Sequence, residues 1–350
     1  MSFEKFLKES AKNIDEELEK FFPKKITAKW VSEYLGNPEF SFDENSSQKA
    51  VVDPIWDFLA RGGKRWRPTL MLLACEAVGG NKKEAMPFTV IPELVHNGTI
   101  MVDDVEDNSS LRRGKQSTHL IYGADVAINA GNAMYFLPLV TLINDTNISA
   151  EQKATIYDLY AKELLKLSFG QAMDIYWHNG HSDVTEQQYL QMTSYKTGSL
   201  SRLAVGLGVI LGKGSEKQIS VLSDFATSLG VAFQIHDDVL NLKPAKDWGK
   251  ETGDDIQEGK RTLIIIHAFS VISPDKKDRL TKILDAKKNT AAEIKEAISI
   301  LDESGSIDYA KKFAKDIVVE SWSNLSKSLD ESDAKKMLKE FADYVIKREI

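Results

Sequence analysis

Asp103–Asp104–Val105–Glu106–Asp107 packs four carboxyl groups into five residues. On a helix, Asp107 is four residues from Asp103 and three from Asp104, so these carboxylates share one face. Like charges at that spacing repel, and the arrangement costs stability unless a cation sits among them. Oxygen ligands on one face suit Mg²⁺, which keeps several waters and shares its sphere with phosphate oxygens. The plain alternative is a solvated helix end. Arg112 and Arg113 follow at once, in Leu111–Arg112–Arg113–Gly114. Guanidinium forks bind phosphate bidentately, so acids beside arginines point to an anion and its cation in one pocket. Salt bridging between the arginines and the acids is the competing reading.

A second cluster repeats the spacing. In Phe233–Gln234–Ile235–His236–Asp237–Asp238–Val239–Leu240–Asn241, Asn241 stands where a third Asp would be. An amide still offers an oxygen. Beyond it lie Lys250, Asp254–Asp255 and Gly259–Lys260–Arg261–Thr262. Asp254 and Asp255 read as helix caps before ligands. His236 has no companion at zinc spacing, and His178–Asn179–Gly180–His181 reads as a loop. Gly62–Gly63–Lys64–Arg65–Trp66–Arg67–Pro68 is a glycine turn loaded with cations that runs into a helix. Backbone amides at that helix start, with Lys64 and Arg67, would hold a second diphosphate. His96 lies seven residues before Asp103, two turns along the same helix, where a lone histidine is ordinarily core. Lys196–Thr197–Gly198 interrupts a helical pattern, as functional kinks do.

These groups need rigid elements to hold them. Nine prolines are present, none between Leu139 and Lys243 and none after Pro274, which favours long helices. Apolar residues recur three or four apart, as in Leu222, Phe225, Leu229, Ala232 and Phe233, or Ile156, Leu159, Tyr160, Leu164 and Leu167. Strand signals are weak, and Leu263–Ile266 continues as a buried helix. The expectation is one all-α domain over residues 1–350: about a dozen antiparallel helices around a central cavity, with residues 1–45 as a hairpin on the outside.

With 350 residues, 42% of them hydrophobic, the chain can bury a sizeable core. A net charge of -7 makes nucleic acid a poor partner, so anion sites must be local. Cys75 stands alone in an apolar run and reads as a buried hydrophobe in a reducing, cytoplasmic setting. No apolar run reaches the ~18 residues of a membrane span, so no transmembrane segment is expected, and the Glu-rich first twenty residues resemble no leader.

Taken in order, these motifs resemble the trans-prenyl diphosphate synthases, geranylgeranyl diphosphate synthases most of all. The resemblance runs from about Asp53 to Phe269. It rests on Gly63–Pro68, His96, Asp-Asp-x-x-Asp at 103, Arg-Arg-Gly at 112, Lys-Thr-Gly at 196, Phe-Gln-x-x-Asp-Asp at 233 and Gly-Lys at 259. It implies an all-helical homodimer using three Mg²⁺ ions to condense isopentenyl diphosphate with an allylic diphosphate. On matching positions, Asp103, Asp104, Asp107, Asp237 and Asp238 bind metal. Arg112, Lys196 and Lys250 contact the allylic diphosphate, with Lys260 at the lip. Lys64, Arg67, His96 and Arg113 hold isopentenyl diphosphate. Thr197 and Gln234 turn their dipoles toward the allylic cation, and Lys196 counts with them as catalytic. Asn241 departs from the commonest form of the family and puts the subfamily in question more than the activity.

The growing chain is expected to run down the helix that bears Asp103, one isoprene unit per turn of ~5.4 Å. Thr99, Gly98, Val95 and Ile91 then gate successive units. Thr99 and Gly98 are small, so growth should pass fifteen carbons and stop at twenty, on a floor drawn from Met134, Tyr135 and Phe136. Three alternatives stand: a longer-chain polyprenyl diphosphate synthase, a class I terpene cyclase, and a regulatory subunit without catalysis. Lys64, Arg67 and Arg113 argue against a cyclase, which has no isopentenyl site. The retained acids argue against a scaffold.

Overall fold

The computed structural model describes residues 3–180, 183–243, 252–286 and 288–347. Among these the chain is all-α, with twenty α-helices and one minimal hairpin, Leu111–Arg112 against Lys115–Gln116. The expected dozen helices is too few. Much of the surplus comes from pieces of four or five residues, such as Lys82–Ala85 and Thr118–Tyr122. Such pieces are too short to display a 3.6-residue period.

The centre of the fold is Ser199–Leu211, buried along most of its length between Trp66–Ala77 and Glu216–Leu242. Gly208 makes the approach to Trp66–Ala77 possible: a Cβ there would lie 2.1 Å from the Met71 carbonyl oxygen. The acids ride on two long helices, Val90–Glu106 and Glu216–Leu242. The 29-residue helix Ala150–His178 passes close to Lys196. The interruption at Lys196–Thr197–Gly198 is a single π-helical turn, Ser194–Gly198. Leu263–Val271 is the helix that its continuation into Phe269 implies.

The Phe3–Phe21 helix packs on the rest of the domain by one face. Phe3, Leu7, Ile14, Leu18 and Phe21 are buried, and Phe3 stacks on Phe341 of the last helix at 4.9 Å. Its apolar residues follow helical spacing and form a real core face. Ala124–Asn144 is long and apolar enough, at 21 residues, to cross a membrane by length and composition alone. Inside the fold it packs on Val90–Glu106 through Ala127, Ala130, Gly131 and Met134. Asp125, Asn129 and Asn132 break the run in one dimension without breaking the face.

Candidate active site

The motifs converge on a cavity of about 690 Å³. One wall comes from the end of Val90–Glu106, with Thr99, Asp103 and Glu106; another from Glu216–Leu242, with Gln234, Asp237, Asp238 and Asn241. Lys196 stands between further acids. Its Nζ is 3.1 Å from Asp103 Oδ1 and 2.6 Å from Asp174 Oδ2. Burial would discharge this ammonium, but Asp103 and Asp174 outweigh it and hold the pKa above the ordinary lysine value. Burial likewise disfavours charge on Asp103, and Lys196, Lys260 and Arg112 more than offset it, holding the carboxylate ionised. Gly170 lets Ala150–His178 come close enough for this, since a Cβ would sit 2.3 Å from the Lys196 backbone nitrogen.

The three Asp residues of the first motif have different situations. Asp103 faces the cavity. Asp104 is fully buried, does not line the cavity, and accepts Arg112 Nε at 2.7 Å. Asp107 caps the helix end and accepts Lys260 Nζ at 3.0 Å without lining the cavity. Helical spacing places Asp104 and Asp107 near Asp103 in projection, but basic side chains from other elements reach both. Arg112 does line the cavity, braced by Asp104. Lys260 also lines it, bound to Asp107 and to Glu258 at 2.5 Å.

In the second motif, Thr197 Oγ1 donates to Gln234 Oε1 at 3.1 Å, and Gln234 Nε2 donates to Asp238 Oδ1 at 2.9 Å. Both side chains line the cavity, with the amide orientation fixed by this relay. Tyr189 donates to Asp238 Oδ2 at 2.8 Å. Asn241 Oδ1 accepts the Asp255 N–H at 3.2 Å, so its oxygen is engaged in tying down the next helix. That helix, Asp254–Glu258, is capped by Gly253; Asp254 and Asp255 lie in its first turn and are not caps, and Asp255 reaches the cavity. His178 ends the long helix Ala150–His178 and lies in no loop. Lys250 and His181 lie outside the described residues.

Lys64, Arg67, His96 and Arg113 come together, as expected, around a small second cleft next to the first. Arg67 Nη1 donates to His96 Nε2 at 3.0 Å, so that nitrogen is an acceptor and the ring is neutral. Burial, then Arg67 and Arg113, hold the His96 pKa well below its ordinary value. Arg67 and Arg113 are each lowered to about 10, by burial first, and stay charged at neutral pH. Arg65 and Arg113 both adopt left-handed backbone (φ 49° and 52°), strain that accumulates at functional sites. Arg65 is held by Glu93 at 2.7 Å and Asp15 at 2.9 Å, and Lys64 donates to the Tyr344 hydroxyl at 2.7 Å.

The chain-length gate differs most from expectation. Thr99 lines the cavity, while Gly98 and Val95 do not. Val95 is core. A Cβ on Gly98 would lie 2.7 Å from the Gly131 carbonyl oxygen and 3.2 Å from Tyr135 Cε1. Gly98 is therefore the contact point of two helices, and Tyr135 fills the space it leaves. Of the proposed floor, Tyr135 lines the cavity, Met134 is core and Phe136 is exposed.

The sequence reading missed Gln171, Asp174 and Tyr189. Gln171 Nε2 donates to Asp103 at 2.9 Å and to Glu106 at 2.7 Å. The available signal was Gly170–Gln171–x–x–Asp174, polar residues one turn apart on an otherwise regular helix.

These groups fit Mg²⁺ with a phosphorylated ligand. Among the described residues no three acids or histidines converge closely enough to hold an ion unaided. Mg²⁺ needs only one or two carboxylates beside waters and phosphate. The site also shows the carboxyl crowding that a cation relieves. Asp238 is pushed up to about 7 by burial and then Asp255, and Glu106 is raised by burial with Asp103 adding to it.

Comparison with known proteins agrees. Residues 48–301 match the polyprenyl synthetase family model. A short chain isoprenyl diphosphate synthase of Methanocaldococcus jannaschii is 37% identical over 83% of this chain and 86% of its own. A geranylgeranyl diphosphate synthase of Methanosarcina mazei is 35% identical over 82% of this chain and 86% of its own. The crystal structure of geranylgeranyl pyrophosphate synthetase from Pyrococcus horikoshii superposes with a TM-score of 0.86 at 34% identity, covering 99% of this chain and 98% of that one. With both acidic helices, the Lys-Thr turn and the cationic cleft inside the matched region, this chain belongs to the polyprenyl synthetase family and is a prenyltransferase of the trans-prenyl diphosphate synthase type.

Proposed function

We propose that this enzyme condenses isopentenyl diphosphate with an allylic diphosphate in an Mg²⁺-dependent ionisation, condensation and elimination, giving geranylgeranyl diphosphate and pyrophosphate. The observation that carries this reading is the juxtaposition of two anion sites of different character. One combines acids and lysine with apolar lining from Ile100, Val102 and Leu167, the shaft proposed for the growing chain; the other has arginines and a neutral histidine. Asp103 on one wall, and Asp237 and Asp238 on another, would hold the cations. Bound Mg²⁺, three ions on this reading, supplies Lewis acidity to the departing pyrophosphate. Asp104 contributes through Arg112, which it aims at the allylic diphosphate together with Lys196. Asp107 contributes through Lys260.

Ionisation breaks the allylic C–O bond, and the pyrophosphate carries the electron pair. The Gln234 and Thr197 oxygens face the positive charge as fixed dipoles. Arg67, Arg113 and Lys64 hold isopentenyl diphosphate so that its double bond supplies the pair for the new C–C bond. A proton then leaves, and the released pyrophosphate takes it. Neutral His96 accepts from Arg67 and keeps that guanidinium aimed. Thr99 leaves the first turn of the shaft open, and Tyr135 is its floor.

A product assay tests this. Protein with Mg²⁺ and isopentenyl diphosphate is given dimethylallyl, geranyl or farnesyl diphosphate, and products are sized by mass. A twenty-carbon diphosphate is expected. Longer products keep the reaction and reject the floor; folded protein that elongates nothing returns the non-catalytic reading to the front.

A further inference from the structure

We infer that Tyr160, on a different helix from the floor it serves, is a positioning residue for product length. The inference rests on Tyr135 being the floor, and it concerns what holds Tyr135 in place.

Tyr135 lies in the last turn of Ala124–Phe136, where carbonyls run out of intrahelical donors. The chain cannot continue regularly, because Pro138 has no N–H and the backbone tightens into a 3-10 turn over Leu137–Leu139. A floor residue at a fraying helix end would be a poor stop. Two contacts prevent this. Gly98 seats the ring from the first-motif helix, with Tyr135 Cε1 only 3.2 Å from the place a Cβ would occupy. From the other side, the buried Tyr160 of Ala150–His178 donates its hydroxyl to the Tyr135 carbonyl. Tyr160 does not line the cavity. The phenol is buried and its oxygen engages the floor's backbone, so its polar function there is to fix that backbone. Three helices thus set the depth of the shaft: one gives the ring, one the seat, one the clamp.

The test is a double-mutant cycle read by product mass, using Tyr135→Ala, Tyr160→Phe and the pair, with farnesyl diphosphate as primer. Tyr135→Ala should lengthen the product. Tyr160→Phe should raise the fraction longer than wild type by about fivefold, the population change matching one neutral hydrogen bond. In the Tyr135→Ala background, Tyr160→Phe should add nothing, because its effect passes through the residue already removed. If Tyr135→Ala lengthens the product and Tyr160→Phe leaves the distribution at wild type, the clamp is wrong while the floor stands. Additive effects likewise overturn it. If Tyr135→Ala changes nothing, the floor itself fails, and the clamp with it.

Discussion

At the scale of single residues, identical letters in a motif carry different duties. Asp103 and Asp104 are neighbours in sequence, yet one faces the cavity and the other anchors Arg112. Asp104→Asn should therefore act through the arginine. It should raise KM for the allylic diphosphate while leaving Mg²⁺ dependence closer to wild type than Asp103→Asn does; equal loss of Mg²⁺ response in both would contradict the division. Carboxyl crowding also predicts the pH response of metal-free protein. Folding raises the pKa of Asp238 from 3.8 and of Glu258 from 4.5, each to about 7, by burial first. A raised folded pKa gives stability that is full below the unfolded value and is lost as pH rises through about 7. The melting temperature in EDTA should fall between about pH 5 and 8, by the equivalent of a few kcal/mol at most. Asp238→Asn should flatten the fall, and Mg²⁺ with pyrophosphate should reverse it. A melting temperature that rises over this interval would show that the acids are not strained against one another.

At the scale of elements, glycines separate packing from chemistry. Gly208 and Gly170 both permit backbone contact, at Met71 and at Lys196. Either Gly→Ala change should destabilise by about 1–3 kcal/mol through overpacking. Only Gly170→Ala should also lower turnover per folded molecule, because the backbone it displaces carries Lys196. Matched losses of turnover in the two variants would sink this distinction. The same elements mark what could be read in the sequence. Helical periodicity located the long acidic helices, and Lys196–Thr197–Gly198 marked the π turn, because both leave a local imprint. The choice of Tyr135 among the three floor candidates, and of Asp104 as the acid that Arg112 meets, was not readable in that way. Counting back from Asp103 nominated Gly98 and Val95 as gates, whereas the ring above Gly98 belongs to a helix that begins at Ala124. By spacing alone Arg112 could meet a ligand or any of the acids, and the fold brings it onto Asp104. Both depend on contacts between elements, which a one-dimensional pattern does not encode.

At the scale of the whole molecule, Ala124–Asn144 is apolar on more than the face it buries. Ile128, Phe136 and Ile143 are exposed on it, and Leu165, Phe169 and Tyr176 are exposed on Ala150–His178. A large contiguous patch of exposed apolar side chains is the mark of an interface. We propose that a second copy of the chain covers it, which accounts for a membrane-like composition in a helix packed within the domain. Sedimentation should give a dimer, and Phe169→Asp should shift it toward monomer. A monomeric wild type would leave this surface for another partner.

The proposed function requires that the acidic walls and Lys196 hold a diphosphate through Mg²⁺. Its most direct test is pyrophosphate binding by calorimetry, with Mg²⁺ and with EDTA, for wild type, Asp103→Asn and Asp237→Asn. Binding to wild type is expected in Mg²⁺, with little in EDTA and a loss of about ten-fold or more in each variant, the order expected for removing one partner of a charged contact. Equal affinity with and without Mg²⁺, or variants that bind as wild type does, would contradict it.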